Sequence, residues 1–163
     1  MGKLFKDKIV GIIGFGAIGQ RVGEIARAFG NKIIYYDTVP KNVNWAKPVS
    51  LKELLSNADV ITLHSSGSEQ IICRTEFDLL KPEAMIINTA RGGLVDEIEL
   101  YKRLKSGKIA CACLDVFENE PYEGPLKELD NVILTPHIGS YAKEARIEME
   151  NMAVDNLLKI LNH

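Results

Sequence analysis

Apolar runs of strand length alternate along the chain with segments whose apolar residues recur every three or four positions. Lys8–Ile13 reads as a strand. Ala17–Phe29 reads as a helix with Ile18, Val22, Ile25, Ala26 and Phe29 on one face, stopped by Gly30. Lys32–Asp37 is a second strand. After a loose stretch containing Pro40 and Pro48, Ser50 caps a short helix, Leu51–Ser56, with Glu53 at the capping-box position. Ala58–His64 is a third strand, followed by a short helix near Glu76–Leu80 and a fourth strand, Ala84–Thr89. Asp96 and Glu99 repeat the capping-box spacing and open a helix to Ser106, with Gly107 beyond it. Ile109–Val116 and Asn131–Thr135 are the fifth and sixth strands. A long helix, Tyr141–Leu161, closes the chain with Ala145, Met149, Met152, Leu157 and Ile160 along its apolar stripe.

Strands this apolar are buried on both faces, as parallel strands are beneath helices. The alternation therefore predicts an α/β doubly wound fold. Its mainly parallel sheet has six strands, or seven, with helices on both faces, most simply in the order 3-2-1-4-5-6. The length of 163 residues suits a single domain, and 46% apolar content allows a core without disulfide or metal staples. The 20 basic and 22 acidic residues are interspersed, which argues against nucleic acid or an anionic membrane as partner. Cys73, Cys111 and Cys113 form no C-x-x-C pair and read as small buried hydrophobes of a reducing cytoplasm. No signal peptide is visible, and the apolar runs are too short to cross a bilayer.

Gly14-Phe15-Gly16-Ala17-Ile18-Gly19 follows the first strand and opens the first helix. In that setting the glycines suit a phosphate-binding turn. Gly14 makes the turn, Gly16 admits a pyrophosphate, and Gly19 packs helix on strand. Asp37 ends the second strand, where its carboxylate can accept from both adenosine ribose hydroxyls and repel a 2′-phosphate, favouring NAD over NADP.

Ligands of such sheets bind beyond the carboxyl ends of the strands. Chemistry-bearing residues gather there: His64, Arg91, Asp115, Glu118, Glu120 and His137. Arginine, glutamate and histidine form a coherent set for reducing a 2-oxo acid. His137 would deliver the proton, Glu120 would orient its ring, and Arg91 would hold a carboxylate and steady the oxyanion. The plain alternatives are an Arg91–Asp96 pair, a surface charge at Glu120, and a helix cap at His137.

"GIIGFGAIGQ", "NTARGGLVDE", "LDVFENEP" and "NVILTPHIG", in this order, resemble the NAD-binding domain of D-isomer-specific 2-hydroxyacid dehydrogenases. The resemblance covers nearly the whole chain. It implies Arg91, Glu120 and His137 as the catalytic residues, and Asp115 as the holder of the nicotinamide carboxamide. The expected cofactor-lining positions are Gly14, Phe15, Gly16, Ala17, Ile18, Gly19, Asp37, His64, Thr89, Ala90, Asp115 and Gly139. Ser66 departs from the pattern, because relatives usually carry proline there.

Such enzymes also have a substrate domain built from segments outside this one. Residues 1–163 are therefore expected to be the dinucleotide-binding domain alone, able to bind NAD(H) but weak in turnover. A small 2-oxo or 2-hydroxy acid is the implied second ligand, and a homodimer is allowed. The competing expectation is a non-enzymatic, NAD(H)-responsive binding module similar to a corepressor.

Overall fold

The computed structural model describes residues 4–39, 41–67 and 69–161. Pro40, noted above, lies outside the described residues. The elements are β1 (Ile9–Ile13), α1 (Ala17–Ala28), β2 (Lys32–Tyr36), β3 (Lys47–Pro48), α2 (Leu51–Asn57) and β4 (Val60–Leu63). They continue with α3 (Arg74–Phe77), β5 (Met85–Asn88), α4 (Glu97–Lys105), β6 (Cys111–Leu114), β7 (Val132–Leu134) and α5 (Lys143–Leu161).

All pairings are parallel, in the order β3-β2-β1-β4-β5-β6-β7. The sheet is seven-stranded because the loose stretch before α2 contributes the two-residue edge strand β3. This corrects the expected order. The Ala58–His64 run is the fourth strand and pairs with β1, not the third strand at the edge beyond β2. An edge strand that contains Pro48 gives no periodic signal, and proline is tolerated there because its missing N–H faces outward. The helix expected near Glu76–Leu80 begins earlier, at Arg74.

The expected caps form. Ser50 accepts from the Glu53 N–H at 3.1 Å, and Asp96 accepts from the Glu99 N–H at 2.9 Å. Gly30 and Gly107 take positive φ directly after α1 and α4. One face of the sheet carries α2, α3 and α4 over a core that includes Leu54, Ile61, Ile86 and Leu100.

The other face carries α1, and here a second expectation fails. The inward side of α1 is Gly19, Gly23 and Ala26, while Ile18, Ile25 and Phe29 are exposed. The helix lies too close to the sheet for large side chains. A Cβ on Gly23 would stand 2.9 Å from the Trp45 ring.

Nor are all strands covered twice. β5 and β6 alternate between buried and half-buried positions, which leaves Met85, Ile87, Cys111 and Cys113 on a partly open face beside exposed Ile133. Helix α5 buries none of its residues. The accessible surface is 10570 Å². A compact monomer of this mass is expected to expose about 8,100 Å².

Leu100→Ala should cost about 2–5 kcal/mol in urea unfolding, because the side chain is fully buried. Leu157→Ala, on α5, should stay within about 0.5 kcal/mol. Equal losses would contradict this division between sheet and last helix.

Candidate functional site

The turns after β1, β2, β4, β5, β6 and β7 share one rim of the sheet. At the β1–β4 boundary a 520 Å³ cleft is lined by Gly14, Gly16, Asp37, His64 and Ser65, among others. The three glycines differ physically. Gly14 has φ +87, and its missing Cβ would lie 2.6 Å from the Ser65 nitrogen. A Cβ on Gly19 would lie 2.2 Å from the Gly14 carbonyl oxygen. Gly16 has nothing within 4 Å of its Cβ position. The first two are therefore required by the fold, whereas Gly16 leaves open room beside the start of α1. That helix has neither a side-chain cap nor an acidic residue in its first turn, so its free N–H groups and dipole favour an anion.

Phe15 is fully buried and stacks on Tyr35 with ring centroids 4.0 Å apart, so only its backbone can face a ligand. Ala17 and Ile18 are exposed. Asp37 joins two turns: its Oδ2 accepts from the Phe15 N–H at 2.7 Å and its Oδ1 from the Val39 N–H at 2.8 Å. The His64 ring is 3.0 Å from the Thr62 hydroxyl, and burial holds its pKa below the usual histidine value.

The structure brings His137 and Glu120 together. His137 Nδ1 lies 2.8 Å from Glu120 Oε2, and Glu120 Oε1 accepts from the Phe117 N–H at 3.0 Å. His137 caps no helix. Arg91 is exposed on the turn after β5, and its guanidinium donates to the Ala90 carbonyl at 2.6 Å. Asp96, its suggested alternative partner, instead caps α4. Asp115 is buried, accepting from the Thr135 hydroxyl and the Ile138 N–H at Oδ1 and from the Gly139 N–H at Oδ2. Thr89 is exposed and Ala90 half-buried beside Arg91. Among the described residues, no His, Cys, Asp or Glu group is arranged to hold a metal.

The family profile described as "D-isomer specific 2-hydroxyacid dehydrogenase, NAD binding domain" matches residues 1–139. The chain belongs to this family. It is 46% identical to D-3-phosphoglycerate dehydrogenase of Methanocaldococcus jannaschii, over 94% of this chain and 31% of that protein. It is 44% identical to glyoxylate reductase of Thermococcus litoralis, over 97% and 50%. The NAD-complexed D-isomer specific 2-hydroxyacid dehydrogenase of Lactobacillus delbrueckii superposes with a TM-score of 0.91 at 30% identity, covering 99% of this chain and 56% of that one. The chain thus spans about half the length of the relatives it matches, or less.

Three further residues of this NAD-binding domain, with little signal in the sequence, shape the rim. Buried Asn88 shapes the Arg91 turn, donating to the Arg91 carbonyl at 2.8 Å and accepting from the Ala90 N–H at 3.1 Å. The one cue is a polar residue closing an apolar strand. Glu97 accepts from the Glu118 N–H at 2.7 Å, and burial raises its pKa. Gly92 presses on the backbone of Phe117 and Glu118, where a Cβ would meet the Phe117 carbonyl carbon at 1.9 Å. These contacts pack the Arg91 turn against the turn that carries Glu120.

The hydrogen bond from His137, helped by the Phe117 N–H, holds the Glu120 carboxyl below its ordinary range. A lowered folded-state pKa stabilises the fold above the unfolded value of about 4.3, and that stability is lost as pH falls through the folded value. Glu120→Gln should therefore show a shallower acid loss of denaturation midpoint than wild type below about pH 5. Parallel acid limbs would remove the pair's electrostatic role.

Proposed function

We propose that this chain binds NAD(H) along the rim and supplies the proton-transfer half of a D-2-hydroxyacid dehydrogenase site acting on a small 2-oxo or 2-hydroxy acid. The observation that carries the reading is the His137–Glu120 pair, 2.8 Å apart, on the same rim as the open space at Gly16. In this reading the start of α1 takes the pyrophosphate. Asp37 faces the adenosine ribose and disfavours a 2′-phosphate, while His64, Thr89 and Ala90 border the dinucleotide. When bound, the nicotinamide supplies or accepts the hydride. His137 holds the proton that passes to or from the substrate oxygen, and Glu120 orients the ring and steadies its cationic form. Arg91 turns from the Ala90 carbonyl to the substrate carboxylate and the developing oxyanion.

Arg91 and His137 are exposed to solvent, and the chain spans about half the length of the relatives it matches, or less, so we place the remaining substrate contacts outside it. Orientation can be worth about 7–11 kcal/mol in favourable cases. Weak turnover by residues 1–163 follows from its loss.

The partners in this reading are small molecules. Charges of both signs are mixed along the chain, and no described helix is long and apolar enough to span a membrane. The surface excess over a compact monomer, about 2,500 Å², leaves room for a second copy, since a standard interface takes about 800 Å² per partner. That same open face supports a second reading, in which NAD(H) controls association and no reaction occurs.

Gly16→Val should fold like wild type and weaken NADH binding by ~10–100-fold in a fluorescence titration. Unchanged affinity would remove the phosphate turn from the site. NADH oxidation by glyoxylate or hydroxypyruvate should stay near background with this chain alone. Any residual rate should vanish in His137→Ala while NADH binding persists. Fast turnover by wild type would contradict the placement of substrate contacts elsewhere.

A further inference from the structure

His137 sits in the left-handed backbone region, with φ +55. Residues with a Cβ adopt that conformation uncommonly, so the groups that hold the loop there matter. Its own N–H bonds the Thr135 carbonyl at 3.0 Å, which leaves the rest of the loop to other groups. Those groups converge on one carboxylate. Asp115 Oδ1 takes the Thr135 hydroxyl at 2.6 Å, from before the histidine, and the Ile138 N–H at 2.9 Å, from after it. Oδ2 takes the Gly139 N–H at 2.8 Å. Asp115 is itself fixed, being buried at the end of β6 with its N–H on the Asn88 carbonyl at 3.0 Å. Gly139 completes the arrangement, because a Cβ there would stand 3.0 Å from Asp115 Oδ2 and press the loop away.

We propose that Asp115 is a positioning residue for His137. With Gly139 it forms a clamp that holds the left-handed backbone and keeps the imidazole against Glu120. The family resemblance gives both residues to the cofactor; the geometry gives them first to each other. The catalytic meaning of the clamp rests on the reading of His137 as proton carrier, whereas the clamp itself does not.

The experiment uses this chain labelled with nitrogen-15. Amide exchange reads the loop, and the long-range imidazole spectrum reads which ring nitrogen carries the proton. A carboxylate on Nδ1 selects the Nδ1–H form, and Glu120→Ala calibrates its loss. In Asp115→Asn the side-chain nitrogen cannot accept from Gly139. Exchange at Ile138 and Gly139 should quicken roughly ten-fold while β1 amides keep their rates. His137 should drift from the Nδ1–H form. Gly139→Ala removes no acceptor and should produce the same two changes, which covers the case of a poorly folding Asp115 variant.

NADH and ADP-ribose are titrated in parallel. Unchanged exchange and an unchanged imidazole in both variants overturn the clamp. So does a loss of NADH affinity alone with an undisturbed loop, which would make Asp115 a nicotinamide contact only. A loop that loosens as expected in a chain that binds no NADH leaves the clamp standing and defeats the cofactor reading instead.

Discussion

Backbone N–H groups that leave the ends of parallel strands need acceptors, and here side chains from neighbouring turns provide them. Asp37 holds the turn after β1 from the end of β2. Glu97, at the start of α4, holds the turn after β6. Asp115 holds the turn after β7 from the end of β6. Asn88 does the same within its own turn. The opposite edge uses the same device, with Asp59 accepting the Ile9 N–H at 2.8 Å and pairing with Lys81. Charge-assisted bonds of this kind are short and directional, so each fixes the path of a loop that has little packing of its own. The rim is thereby a set of loops tied to their neighbours. That is what allows residues from separate strands to be held in one geometry.

Much of this was legible in the sequence, for reasons that differ by element. The glycine turn could be read because strand, glycine spacing and helix occur within a dozen residues, so every requirement is local. Ser50 and Asp96 could be read as caps for the same reason. Arg91, Glu120 and His137 stood out as polar residues at the ends of apolar strands, and the structure joins the last two directly. Family membership follows from motifs spread over residues 1–139.

What could not be read depends on distance in space. The α1 face was misjudged because apolar periodicity assumes that large residues pack inward. Here close approach of the helix selects Gly19, Gly23 and Ala26, and pushes Ile18, Ile25 and Phe29 outward. Glycines four apart were the available cue. β3 is two residues long and is defined only by its register with β2. Asn88 and Gly92 act through contacts that no spacing rule announces. Asp115 was seen at the rim, but its three partners lie 20 to 24 positions away in the chain.

Helix α5 stands apart from these ties. With no buried side chain, its 19 residues rely on their own hydrogen bonds and on local pairs such as Arg146–Glu150. Most helical stability in proteins comes from packing of one face, and α5 has no such packing. Unfolding is then expected to divide in two. One part is a cooperative sheet that includes its rim, through the Asp115-bound loop at Gly139; the other is the tail α5, with no buried side chain to couple its winding to the sheet. Melting followed by helix signal would then blend a gradual drift with a sharp step, and only the step would report on the part of the molecule that carries the rim.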